Sequence, residues 1–211
     1  MSKQFYLTSR HGNCGGTTMF WNKNGKGYGT ALDNAELFTL EEAMEYHVRD
    51  MQAIPLLKEA VDKAAVLHVD CQHLDKDLAI QHIDGPDEFV IQIDGHWSGN
   101  DILFVSEDGH SYDYSKAKAG SWRDSQKTTY DLGRSCTVWP KAFLDTIARR
   151  TLEVADINKR AMCSSAGVKL RRPKRQRPTT GKTRKNCGDC GKIVWDYDPH
   201  SEVTCRDHNY S

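Results

Sequence analysis

Four side chains that commonly bind zinc form two short pairs in the C-terminal part of the 211-residue sequence. The first pair is Cys187 and Cys190, and the second is Cys205 and His208. Two ligand pairs joined by a spacer are typical of a closed tetrahedral zinc site. Because four protein ligands leave no open coordination position, the spacing predicts a structural Zn²⁺ and not a catalytic one. Residues 187–211 are too few to build a core, so we expect the metal to fold them.

A basic run precedes the predicted zinc site. Residues 159–186 contain eleven Lys and Arg side chains and no acidic one. Such a segment buries too little apolar surface to fold alone, which predicts a flexible, disordered linker. Its charge density favours phosphate neutralisation, so nucleic acid is the expected partner and salt should weaken binding. A contact with the acidic body or a protein partner, and a plain soluble linker, remain alternatives. The residues predicted to contact phosphates are Lys169, Arg171, Arg172, Lys174, Arg175, Arg177, Lys182, Arg184 and Lys185.

The remainder of the chain is acidic, since residues 1–158 carry eight more acidic than basic side chains. An acidic surface with aromatic anchors could bind a basic partner, so a protein-binding inhibitor of a host defence, transcription or replication machine is an alternative function. The candidate anchors are Trp97, Trp122, Trp139, Tyr112, Tyr114 and Tyr130.

The composition also predicts where the protein acts. No apolar run approaches the 18 residues or so that a membrane span needs, so no membrane partner is expected. Seven cysteines are an odd number, and no signal-peptide pattern is visible, which favours a reducing cytoplasm. A small-molecule substrate is not expected.

Hydrophobic periodicity predicts an α+β fold made of small antiparallel β units with packed helices. A capping box that begins at Thr39 predicts a helix toward Met51. Further helices are expected from Pro55 to about His68 and from Pro140 to about Met162. The predicted strands are 5–9, 17–21, 28–32, 89–93, 102–106 and 112–114.

A weak internal repeat links two parts of the body. Residues 19–38 align with residues 103–122 with one gap, and both segments read as apolar strand, Gly turn and Tyr-bearing strand. The predicted organisation is an N-terminal β-hairpin and helix module (1–50), a second α+β module that is a candidate degenerate repeat (51–158), the basic linker (159–186) and a zinc ribbon-like unit (187–211). Within that unit, Ile193–Trp195 and Val203 are expected to form a hairpin.

A second group of metal-ligating side chains follows the predicted helix that ends near His68. His68, Asp70, Cys71, His73 and Asp75 are close in sequence, but no matching second cluster is evident. Because polar residues at a helix end are commoner than a metal site, we expect no metal here.

The triplet Arg10-His11-Gly12 follows a predicted strand and resembles the start of histidine phosphatases. That resemblance implies a hydrolase with a His11 nucleophile and a phosphate-binding Arg10. However, Glu107 stands where the second histidine of that family belongs. We therefore expect a protein without enzymatic activity, with the hydrolase as a remaining alternative.

Residues 4–75 resemble a short module of small phage and prophage accessory proteins. The resemblance lies in Phe20-Trp21, Gly27-Tyr28 and Thr39-Leu-Glu-Glu-Ala43, followed by Ile54-Pro55. The resemblance implies a phage setting, and with it the cytoplasm of a bacterial host cell, but no particular activity. The leading expectation is a phage-type, non-enzymatic nucleic-acid-binding or regulatory protein with one structural Zn²⁺.

Overall fold

The computed structural model describes residues 3–171, 181–198, 200, 202, 204 and 205. The chain divides into two compact units, Met1–Arg172 and Pro173–Ser211. Helices and strands are mixed, and the sheets are small and antiparallel. The predicted α+β class is therefore confirmed.

The first unit begins with a four-stranded antiparallel sheet. The elements of the first half are β1 (Phe5–Cys14), β2 (Thr17–Trp21), β3 (Tyr28–Gly29), α1 (Leu40–Arg49), β4 (Pro55–Leu57), α2 (Lys58–Ala64) and β5 (Val66–His68). The sheet has the order β3-β2-β1-β4, and α2 and β5 follow it in the chain. Helix α1 begins after Thr39, whose side chain and that of Glu42 form the predicted capping box.

The same elements then recur in the same order. After a connecting helix, the second sheet has the order β10-β6-β7-β8, and β9 also pairs with β6. The first hairpin of each half contains a shift in strand register. The shift lies between Thr8 and Asn13 in the first half and between Gln92 and Trp97 in the second half. The elements are α3 (Lys76–Ile80), β6 (Phe89–Ser98), β7 (Asp101–Val105), β8 (Ser111–Tyr112), β9 (Ala119–Gly120), α4 (Trp122–Leu132), β10 (Cys136–Pro140), α5 (Lys141–Ile147) and β11 (Arg149–Thr151).

An approximate two-fold axis relates the two halves. Strands β5 and β11 are equivalent, and they pair antiparallel with Leu67 opposite Arg150. The hairpin turns also meet, because the backbone at Gly15 lies against that of Gly99. The halves are therefore joined both through a strand pair and through a crossing of two turns.

Each half supplies a residue to the core of the other half. Leu152, which follows β11, is fully buried in the core built around Phe5 and Phe20, whereas Val69, which follows β5, is buried beside Ile102. Backbone hydrogen bonds accompany this exchange. The Thr18 N–H donates to the Leu152 carbonyl at 2.8 Å, and the Ile102 N–H donates to the Val69 carbonyl at 3.0 Å. Neither core is complete without the other half.

Two helix predictions are wrong at their boundaries. The helix expected over 140–162 ends at Ile147, because Ala148 is extended and Arg149–Thr151 pair with β5. The helix expected from Pro55 begins only at Lys58, since Pro55–Leu57 pair with β1. In both places the residues form a strand because they pair with another strand, although their apolar pattern has the period of a helix.

The flexible linker predicted over 159–186 is also wrong at both ends. Helix α6 (Lys159–Met162) begins inside it, and the apolar side chains that follow are buried in the first core. Those side chains are Met162, Cys163, Ala166 and Val168. At the other end, β12 (Thr183–Asn186) pairs with β13 (Ile193–Asp196). Ile193–Trp195 thus pair with the basic strand β12. Val203, which was expected to complete their hairpin, lies outside the described residues.

We predict that Gly99→Ala destabilises the protein far more than Gly95→Ala. A Cβ at Gly99 would lie 2.6 Å from the carbonyl carbon of Cys14, whereas nothing lies within 4 Å of one at Gly95. Both glycines have positive φ, so both variants carry backbone strain of about 1 kcal/mol. Only the new Cβ at Gly99 would also push the two crossing turns apart. We therefore expect Gly99→Ala to lower the free energy of unfolding by about 3 kcal/mol or more. Urea unfolding followed by circular dichroism measures both values. Equal losses would contradict the tight crossing.

Candidate metal centre and nucleic-acid interface

Three of the four predicted zinc ligands lie together in the second unit. The Sγ atoms of Cys187, Cys190 and Cys205 lie within 4.8 Å of one another, and those of Cys190 and Cys205 are 3.4 Å apart. In a tetrahedral site with Zn–S bonds of about 2.3 Å, sulfur atoms are about 3.8 Å apart. The three thiols do not form a disulfide bond with one another, since their sulfur atoms lie much farther apart than the 2.05 Å or so of such a bond. The cluster is therefore a candidate metal site.

A tight turn holds the first two cysteines. The Cys187 N–H donates to the Lys192 carbonyl at 2.8 Å, and the Gly191 N–H donates to the Cys187 carbonyl at 2.9 Å. Gly191 has a φ of +68°, a conformation that glycine adopts without steric cost. Hydrogen bonds from the backbone N–H groups of Cys205, Cys190 and Asp189 lower the pKa of the Cys187 thiol to about 6. Cys187 is thus biased toward the thiolate, which is the form that binds metals.

The fourth predicted ligand, His208, lies outside the described residues. His200, which lies between the two ligand pairs in the sequence, is exposed, and its backbone N–H donates to the Asp198 carboxylate at 2.8 Å. Within the described part of the second unit, the ligand group contains three cysteines and no histidine. The identity of the fourth ligand stays a prediction.

The basic residues predicted to contact phosphates fall into three groups. Lys169 and Arg171 are exposed in the first unit, where the Arg171 N–H donates to His47 Nε2 at 2.9 Å. Lys182, Arg184 and Lys185 belong to the second unit, on or beside β12. The others lie outside the described residues; they are Arg172, Lys174, Arg175 and Arg177.

The hairpin of β12 and β13 presents one face that is both basic and aromatic. Arg184 stands directly opposite Trp195, and opposite residues of an antiparallel pair share a face. The Trp195 side chain is 58% exposed and Ile193, on the same face, is 53% exposed. Next to this pair, the Lys182 Nζ lies 4.9 Å from the centre of the Tyr197 ring. We call Lys182, Arg184, Ile193, Trp195 and Tyr197 the hairpin face.

The other residues singled out in the sequence lie elsewhere. Arg10 and His11 are exposed on β1, and the His11 ring packs 4.7 Å from the Tyr28 ring. Glu107 is exposed and pairs with Lys118 at 3.1 Å. Among the aromatic candidates, Trp97, Trp122 and Tyr130 are exposed, Tyr112 is half-buried, and Trp139 and Tyr114 are buried.

A buried polar cluster lies where the two halves of the first unit join. The Asp101 carboxylate accepts hydrogen bonds from Thr17 Oγ1 at 2.8 Å and from His68 Nδ1 at 3.0 Å. The Arg149 guanidinium pairs with Asp101 and, at 3.0 Å, with Asp70. The exposed residues Cys71 and His73 do not belong to this cluster. Of the five potential metal ligands between residues 68 and 75, only His68 and Asp70 therefore belong to the buried cluster.

The cluster is dominated by an ionised carboxylate. Burial would raise the pKa of Asp101, but hydrogen bonding from His68 and the charge of Arg149 outweigh it and hold the pKa below its ordinary value. Sequence reasoning missed this site because its members come from distant strands. The internal repeat carried the signal, since two pairs of aligned positions differ in ionisable character: Thr17 corresponds to Asp101, and Thr151 corresponds to His68.

Comparison of the chain with protein-family models, curated proteins and solved structures gives no match. In the described residues, none of the helices has the length and apolar character needed to cross a membrane.

We predict that Arg149→Met destabilises the protein much more than Arg150→Met. Arg149 is the countercharge of the buried carboxylates Asp101 and Asp70, and leaving buried charges without their partner costs about 3–5 kcal/mol. Arg150 pairs with Asp33 at 2.7 Å, but its side chain is 40% exposed, so its loss should cost about 1 kcal/mol or less. Chemical denaturation of the two variants tests this, and similar losses would mean that the Arg149 contacts do not stabilise the joint.

Proposed function

We propose that the protein is a non-enzymatic nucleic-acid-binding protein whose second unit contacts a single strand through the hairpin face. The observation that carries the proposal is the pairing of Arg184 with the exposed Trp195 across the two strands. Single-strand binding proteins combine aromatic side chains, on which bases stack, with cations that follow the phosphate backbone. Both features occur here within one short hairpin.

The exposure of the aromatic side chains supports this proposal. Trp195 is 58% exposed and Tyr197 is 67% exposed, although burial of such side chains would be favourable. Exposed apolar side chains that lie close together often mark a binding site, so we infer that a partner covers these two rings. Arg184 lies opposite Trp195, and the Lys182 Nζ lies 4.9 Å from the centre of the Tyr197 ring, so each exposed ring has a cation next to it.

Zinc has a structural role in the proposal. Within the described residues, no buried apolar cluster forms in the second unit, whose buried side chains are Cys187 and Cys205. A Zn²⁺ held by Cys187, Cys190 and Cys205, with His208 as the fourth ligand, would replace the missing core and fix the turn that precedes β13. It would thereby hold Arg184 and Trp195 in register.

The remaining predicted basic residues extend the proposed contact. Lys169, Arg171, Arg172, Lys174, Arg175, Arg177 and Lys185 would add phosphate contacts without sequence preference. Because residues 4–75 resemble phage accessory proteins, we propose that the binding serves a regulatory role in a phage-infected bacterium.

A second candidate function is binding of a host protein by the first unit. The observation that favours it is a shallow apolar groove beside Trp122, which is 47% exposed, and Ile83, which is 52% exposed. The first unit carries an excess of acidic residues, so a basic protein would be the complementary partner.

We predict that Cys190→Ser removes one of the three thiolate ligands and weakens thiolate coordination of a metal, whereas Cys71→Ser leaves it intact. Both cysteines are exposed, but only Cys190 belongs to the three-sulfur cluster. Replacement of the native metal by Co²⁺ gives sulfur-to-cobalt charge-transfer absorption only when thiolates bind the ion. The wild type and Cys71→Ser should show this absorption. Its absence from the wild type would refute the metal centre.

We predict that Trp195→Ala and Arg184→Gln weaken binding to a labelled single-stranded oligonucleotide in different ways. Loss of one stacked base costs about 1–3 kcal/mol, so Trp195→Ala should lower the affinity about 5- to 100-fold and leave its salt dependence unchanged. Arg184→Gln should lower the affinity and also reduce the slope of log K against log[salt] by about 0.7. Fluorescence anisotropy of the full-length protein at several salt concentrations measures both effects.

Trp97→Ala is the matched control for this experiment. Trp97 is 56% exposed, almost as much as Trp195, but it lies on β6 in the first unit. Its loss should not change the affinity for the oligonucleotide. Absence of binding by the wild type, or equal losses for both Trp variants, would overturn the proposal. Binding of a basic host protein that survives nuclease treatment and is lost in Trp122→Ala would favour the second candidate.

A further inference from the structure

The first unit contains a group of three side chains with the composition of a metal site. A ring nitrogen of His68 and carboxylate oxygens of Asp113 and Glu153 lie within 4.8 Å of one another. His68 comes from β5, Glu153 follows β11, and Asp113 follows β8. Three separate segments thus converge beside the joint of the two halves.

Two polar atoms in this group are buried without a partner. His68 is 4% exposed and Asp113 is 5% exposed. Neither His68 Nε2 nor Asp113 Oδ1 has a hydrogen-bond partner among the described residues, and the nearest Glu153 oxygen is 3.7 Å from His68 Nε2. A buried polar atom without a partner costs about 1–3 kcal/mol, so two in one place indicate a ligand that binds both.

The surroundings of His68 fix the ring for metal binding. Thr17 and Arg149 donate to the Asp101 carboxylate, which can only accept while it is ionised. The proton of His68 therefore lies on Nδ1, in the hydrogen bond of 3.0 Å to Asp101, and the lone pair of neutral His68 is on Nε2. A carboxylate behind a metal-binding histidine is the usual arrangement around such ligands.

We propose that His68, Asp113 and Glu153 bind a divalent first-row transition metal ion, such as Mn²⁺, through one imidazole and two carboxylates. Ligand atoms about 2.1 Å from one ion are about 3.0–3.4 Å apart, so the gap of 3.7 Å between His68 and Glu153 needs only a small closure. The imidazole favours a transition metal over Mg²⁺ or Ca²⁺, whereas the two carboxylates suit Mn²⁺.

The site also has an entrance. The Glu153 side chain is 33% exposed, so an ion can enter from solvent on that side. Three protein ligands leave coordination positions open for water or an anionic ligand. Lys116, with its Nζ 3.2 Å from the Asp113 carboxylate, stands at the same edge and competes with the ion for Asp113.

Loss of the free Mn²⁺ signal in electron paramagnetic resonance measures binding to the full-length, chelator-treated protein. Mn²⁺ is the appropriate probe because the softer cysteine thiolates select other metals. We expect one bound Mn²⁺ per chain and at least tenfold weaker binding in Glu153→Gln. Glu107→Gln is the matched control, since Glu107 is a glutamate of the same unit that pairs with Lys118 outside the proposed site, and it should bind Mn²⁺ like the wild type.

Lys116→Met separates a metal site from a purely structural network. Removal of the competing ammonium should tighten Mn²⁺ binding severalfold, whereas a network without metal predicts only a change in stability. Thermal unfolding provides the folding control: Mn²⁺ should raise the melting temperature of the wild type and not that of Glu153→Gln. No Mn²⁺ binding by the wild type, or equal binding by Glu153→Gln and Glu107→Gln, would overturn the proposal.

Discussion

The first unit depends on a reciprocal exchange between its two halves. Val69 fills the core of the second half, and Leu152 fills the core of the first half. Full burial of one such side chain contributes about 1.5–3 kcal/mol, and each also brings a backbone hydrogen bond to a strand of the opposite sheet. Because β5 and β11 carry these residues and pair with each other, separation of the halves would expose both cores at once.

The same exchange accounts for the buried charges. Chain segments that cross from one half to the other bring Asp70 and Arg149 next to Asp101, which no single half could do. Desolvation of such charges is expensive, and only close pairing and hydrogen bonding offset it. The second unit is built differently, since a cluster of thiols and a two-stranded hairpin stand where a core would otherwise be.

Local sequence patterns were sufficient for part of this structure. The capping box at Thr39 and the cysteine spacing depend on residues close in sequence, and both were predicted. The aligned segments 19–38 and 103–122 occupy equivalent places in the two halves. The strand formed by Arg149–Thr151 could not be predicted, because its partner strand β5 is distant in sequence. The apolar residues around it also recur with the period of a helix. The buried site was missed for the same reason, since His68, Asp101 and Arg149 meet only after the halves join.

The presence of both halves in one chain has a consequence for the evolution of their joint. In a symmetric pair of identical subunits, every mutation occurs twice, and a new charge on one flank would reappear on the other. In this chain, position 68 is His while its counterpart is Thr151, and position 101 is Asp while its counterpart is Thr17. Within one chain, one member of each pair can therefore carry an ionisable group while the other keeps a neutral hydroxyl, as Thr17 does where it donates to Asp101. Identical subunits could not acquire such a difference.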